Sequence, residues 1–119
     1  MPRTALPIIT PPGTNPGTIA AGAADFVWTA ADVANKNQIP HTGKELILVN
    51  NTDAAAQTVT ITSVSDDFNR TGDITAYSLD VGDYAVFGPF EIPGWRQTDG
   101  NLYLEAAAAT VKFAVIRLP

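Results

Sequence analysis

From Lys44 to Leu118 the sequence never holds one pattern for long. Short apolar or alternating runs follow one another, each stopped by turn residues. KELILVNN (44–51) is a continuous apolar run closed by Asn-Asn, the pattern of a strand buried on both faces or at the centre of a sheet. QTVTITSV (57–64) alternates, with Val59 and Ile61 on one side and Thr58, Thr60 and Thr62 on the other, as a half-buried antiparallel strand does. DITAYSLDV (73–81) places Tyr77, Leu79 and Val81 on one face, and YAVFGPF (84–90) places Tyr84, Val86 and Phe90 on one face. Pro89 puts the end of that strand at an edge or a break. NLYLEA (101–106) and TVKFAVIRL (110–118) supply the last two strands.

The punctuation is equally regular. VGD (81–83), the Pro-Gly of EIPGW (91–95) and the Asp-Gly of TDGN (98–101) are turn signals, and SDDFNRTGD (65–73) has the composition of a loop. AAAA (106–109) is too short for a helix between strands. Six to eight short strands with almost no helix predict an all-β fold, an antiparallel β-sandwich with jelly-roll-like character.

The first eighteen residues differ. MPRTALPIITPPGTNPGT carries prolines at Pro2, Pro7, Pro11, Pro12 and Pro16, so an extended or polyproline-II-like arm is expected over 1–18, ahead of a sandwich domain over 19–119. Leu6, Ile8 and Ile9 give this arm apolar anchors. Three readings stay open for it: a contact arm on a partner, a floppy tail, or a segment folded back along the edge of its own sandwich. After the small residues of IAAGAA (19–24), DFVWTAA reads as a strand with Trp28 directed to the core. ADVANKNQ (31–38) reads as one turn capped by Asp32, ending before Pro40.

At 119 residues the chain has room for one domain with one modest core. A net charge of −5 and seven basic residues scattered singly weigh against nucleic-acid or anionic-membrane binding. No apolar run approaches the ~20 residues of a membrane-spanning helix. Prolines interrupt the start where a secretory signal would be continuous, so a soluble chain made in the cytoplasm is expected.

Reactive chemistry is sparse. There is no cysteine, and His41 is the one histidine, best read as structural. Ser63, Ser65 and Ser78 lack nucleophile-elbow spacing. Asp66, Asp67 and Asp73, and Asp80 with Asp83, could offer oxygen ligands to Ca²⁺, but without EF-hand spacing they fit turn chemistry better. Asn50-Asn51-Thr52 and Asn69-Arg70-Thr71 match a glycosylation sequon by chance, and RTGD (70–73) is not an integrin-type motif because Thr71 interrupts it. No enzyme, metal or cofactor is expected. Trp95, in a Pro-Gly turn beside Arg96, is expected to be partly exposed.

GKELILVNN, QTVTIT, GDITAYSLDVGDYAVFGPF, GWRQTDGNLYLE and VKFAVIRL together resemble small β-rich proteins of tailed-bacteriophage structural modules, over residues 43–118. The resemblance implies a virion protein, a capsid decoration (cement) protein on the outside of the major capsid shell. Its partners would be the major capsid protein and neighbouring decoration subunits, with monomer and trimer both open. An 18-residue arm reaches ~55–65 Å when fully extended, enough to cross to a neighbouring subunit. The residues expected at such contacts are Arg3, Leu6, Pro7, Ile8, Ile9, Pro11, Pro12, Trp95 and Arg96. The alternatives are a tail or baseplate component of the same fold, and a carbohydrate-binding β-sandwich using Trp95, Tyr103 and Asp99.

Overall fold

The computed structural model describes residues 2–13 and 17–119, which leaves Met1 and, within the proline-rich start, Thr14, Asn15 and Pro16 outside. Among the described residues ten strands form two mixed sheets that share one core. The first sheet runs β1 (Thr4–Ala5), β4 (Asn37–Pro40), β9 (Asn101–Ala106), β6 (Gln57–Thr62) and β7 (Ile74–Leu79), in that spatial order. The second runs β2 (Ile8–Ile9), β10 (Val111–Arg117), β5 (Glu45–Asn51) and β8 (Tyr84–Phe87), with β3 (Thr29–Ala30) also paired to β10. The all-β expectation stands, compatible with a β-sandwich.

Alternation along the long strands builds the core. In β5 the inward set is Glu45, Ile47, Val49 and Asn51, and in β9 it is Leu102, Leu104 and Ala106. Val59 and Ile61 of β6 meet them from one sheet, and Phe113 and Val115 of β10 from the other. Burying such side chains contributes about 1.5–3 kcal/mol each.

Two features depart from an all-antiparallel arrangement, and both come from the proline-rich start. β1 lies parallel to β4, with Thr4 opposite Asn37, and β2 lies parallel to β10, with Ile8 opposite Val115. The N–H of Thr4 donates to the Lys36 carbonyl at 2.9 Å and that of Leu6 to Gln38 at 3.0 Å. Leu6 and Pro7 carry the chain from one sheet to the other, and Leu6 fills the core between them. A proline is tolerated there because Pro7 falls between the two short strands.

On the opposite side β7 passes to β8 through the Val81–Asp83 turn, and Tyr77 packs edge-on against Phe87 at 5.3 Å, closing the gap between the sheets. One extra residue of β7 sits opposite β6, with Ala76 at φ 51°, so Tyr77 faces Val59 while Ile74 faces Ile61. In β8 Tyr84 and Val86 point outward, but Phe90 does not share their face: it turns into the core. The break is at Gly88, φ 97°, where a Cβ would stand 2.6 Å from the Glu45 carbonyl oxygen, and Gly88-Pro89 is cis. Ile92–Trp95 is the expected Pro-Gly turn, with Pro93 and Gly94 in type II dihedrals.

Candidate functional site

The polar groups that a sequence reading offers for chemistry are engaged in building turns. Asp66 accepts the amides of Phe68 and Arg70 and the Arg70 Nε, at 2.8–2.9 Å. Asp73 takes the Ser63 hydroxyl at 2.6 Å and its amide at 2.7 Å. Asp32 caps its turn as expected, accepting the Asn35 amide, and also receives the Thr4 hydroxyl at 2.5 Å. These bonds lower the carboxyl pKa in each case: chiefly the Arg70 amide on Asp66, the Ser63 hydroxyl on Asp73 and the Thr4 hydroxyl on Asp32. No group of three or more metal-ligating side chains stands together among the described residues.

Three buried polar groups went unread or half-read in the sequence. Asn51 donates to the carbonyls of Ala55, Leu79 and Asp80, while its Oδ1 accepts the Asp53 amide at 2.9 Å. It thereby ties the ends of β5 and β7 to the intervening turns. His41 is fully buried, with Nε2 2.9 Å from the Phe90 carbonyl, so Nε2 carries the proton. Glu45 is buried beside the Arg117 Nε at 2.5 Å, the Thr42 hydroxyl at 2.6 Å and the Thr42 amide at 2.9 Å. Burial works to raise its carboxyl. The Thr42 hydroxyl, the Arg117 guanidinium and the Thr42 amide outweigh that and bring it down to about 2. Its place on the inward phase of β5 was the available signal.

The expected contact residues divide sharply. Leu6 is committed to the chain's own core and is 5% exposed, so it presents nothing to a partner. Arg3 donates to the Asn37 carbonyl at 3.1 Å and lies 4.1 Å over the Tyr103 ring, whose hydroxyl in turn donates to Asp99 at 2.6 Å. Tyr103 and Asp99 are therefore held by each other and by Arg3. Trp95 packs 4.3 Å from Phe90 at the end of the core and is half-buried. Arg96 is exposed, and Pro7 is exposed while Ile8, Ile9, Pro11 and Pro12 are half-buried. Pro7, Ile8 and Ile9 line a cavity of about 190 Å³ with Asp25, Phe26, Val27 and Val115.

The largest asymmetry lies between the two outer faces. Outside the first sheet, β6 presents its threonines, Thr60 opposite Glu105 and Thr62 opposite Tyr103, and Lys36 bridges Glu105 at 2.6 Å. Outside the second sheet, the register sets Ala114 beside Leu48 and Leu48 beside Val86, then Ile116 beside Leu46 and Ile9 beside Ile116. Trp28, expected in the core, lies on this outer side instead. Its ring is 5.7 Å from Phe26 and 6.1 Å from Tyr84, so an aromatic row runs across the sheet. Ala114 faces outward, yet it is 2% exposed, because the row passes over it. Beyond the row Tyr84 is 71% and Val86 60% exposed.

Fold and surface together define a two-sheet all-β module with one polar outer face and one apolar one. Compared with family models, curated proteins and solved structures, the chain matches none of them.

Proposed function

We propose that the chain is a structural protein of a tailed-phage virion, a decoration protein that stabilises the outside of the capsid by bridging major capsid subunits. The observation that carries this reading is the apolar outer face of the β2-β10-β5-β8 sheet. Its Leu46, Leu48, Ile116 and Ile9 are half-buried while Tyr84 and Val86 stay open. Tyr84 at 71% and Val86 at 60% exposure leave contiguous apolar surface open on this face, the kind of patch that marks a contact site. Adhesion needs such an area and needs no reactive group.

The reading changes what the N-terminal segment does. With Leu6 inside the core, the segment does not reach away as a free arm from its first residue. Its contribution to a contact is Ile9 and Pro7, which extend the apolar face at the β2 edge. A jelly-roll-like character of the sandwich and assembly on the lattice as monomer or trimer belong to the same proposal.

The test is co-sedimentation of the purified chain with unexpanded and expanded shells of the phage that encodes it. Saturable binding at a fixed ratio to the lattice, with shells that survive a higher temperature when decorated, is expected. Absence of binding to both shell forms overturns the reading. No specific observation favours the carbohydrate alternative: Tyr103 and Asp99 bond each other, while Trp95 packs on Phe90.

A further inference from the structure

The apolar face also carries a charge pattern opposite to that of the molecule. Seven basic residues stand against 12 acidic ones in the chain. No carboxylate occupies an outward position of β5, β8 or β10. Only two of the twelve lie on strands at all: Glu45 faces the core and Glu105 lies outside the other sheet. The outward positions instead bear Lys112, opposite Asn50, and Lys44, one alternation step before Leu46. The Leu118 amide bonds the Lys44 carbonyl at 2.8 Å, so the ladder continues to that step. Among the described residues neither lysine has a carboxylate within 4.0 Å, whereas Lys36, Arg70 and Arg117 each do. Six residues along β5 separate their levels, about 20 Å.

We infer that this face docks on a protein surface of complementary chemistry, an apolar patch flanked by two carboxylate-bearing positions about 20 Å apart. The inference rests on the virion reading and names what the shell must present there. A second copy of this chain is a poor occupant, because two such faces bring apolar surface together but oppose lysines to lysines with no strand-borne acid between them, Asp25 standing at the β2 edge beside Ile9 and Phe26. An anionic bilayer is also a poor one: two lysines are too few to hold a molecule of net charge −5 against its own loop carboxylates. In an acidic-flanked protein patch the lysines find partners within one Debye length.

The experiment uses the intact chain and the shells described above. Variants are Val86→Asp, in the middle of the open area, and the pair Lys44→Glu with Lys112→Glu. All are surface changes, and circular dichroism melts check that each still folds. The inference expects Val86→Asp to weaken shell binding at least tenfold. It expects the double lysine variant to weaken it at least tenfold at low salt and to lose the salt dependence of the wild type, while Lys44→Arg with Lys112→Arg keeps it. If wild type binds and these variants bind equally well, the inference falls and the virion reading survives. If wild type binds neither shell form, the reading falls and takes the inference with it. Two further results would overturn the inference alone: light scattering that shows a dimer broken by Val86→Asp while shell binding is intact, or flotation with phosphatidylglycerol vesicles that the lysine variants abolish.

Discussion

Replacing Glu45 by glutamine tests how the sandwich is locked at the end where β5 begins. The carboxyl is buried, and its ordinary pKa of 4.5 falls to about 2 in the folded chain. Because the folded value is the lower one, the native state favours the ionised form, so the stabilisation is fully present above pH 4.5 and is lost as pH falls through about 2. At ~1.4 kcal/mol per tenfold change in proton affinity, that span is worth about 3 kcal/mol, which agrees with the ~3–5 kcal/mol expected when one partner of a buried pair is removed. Glutamine keeps the shape and an oxygen for Thr42, but it gives the Arg117 guanidinium no charge to meet. Urea unfolding of wild type and Glu45→Gln at a series of pH values from 7 to 2 measures the difference directly. The expected gap is about 3 kcal/mol at pH 7, closing steadily below pH 4.5. The difference between the two proteins is the quantity to follow, since Asp32, Asp53, Asp66, Asp73 and Asp99 are also lowered and tilt both curves alike. A constant gap across the whole range, or one below 1 kcal/mol at pH 7, would refute the assignment of an ionised, paired Glu45.

Two further outcomes follow from contacts of the first residues. Leu6→Ala is expected to cost about 2–5 kcal/mol, seen as a lower thermal midpoint, because the side chain spans the two sheets inside the core. Deleting residues 2–9 should for the same reason destabilise the domain, and an unchanged melting curve would show the segment to be dispensable. Asp99→Asn should shift one tyrosine in a spectrophotometric titration. Tyr103 is raised, first by its hydrogen bond to Asp99, so the variant brings that transition down.

The strand cadence was legible because it rests on local chemistry. Alternation along QTVTIT and NLYLEA fixes which side chains point inward, and the Asp-Gly and Pro-Gly turns fix where each run stops. The proline-rich start was not legible in the same way. Its two-residue strands have no period to detect, and their parallel partners lie about 30 and 100 residues away, so only tertiary packing decides that Leu6 enters the core. Asn37–Pro40 escaped for a related reason: NQIP looks like a loop, yet Ile39 is fully buried and Pro40 stands beyond the stretch of β4 that β1 pairs. Phe90 was misplaced because period two was carried through Gly88, where positive φ resets it.

One reading of the sequence proved more informative than the position it assigned. LILV in β5 has the composition of a strand covered on both sides, and within this chain the two sides are not equal. Ile47 and Val49 are fully buried in the core, while Leu46 and Leu48 on the other side are only half-covered, with Val86 beside Leu48 left open. A surface facing water gains nothing from leucine at two of the three outward positions of a central strand, since threonine serves that role on β6 across the sandwich. The side chains of β10 repeat the choice, with Ala114 and Ile116 in the outward positions next to those leucines. Two neighbouring strands thus carry apolar residues at adjoining outward positions, between Asn50 and Lys112 at one end and Lys44 at the other. Among the described residues the aromatic row of Phe26, Trp28 and Tyr84 crosses this side, and the proposal gives what the row leaves open to a partner.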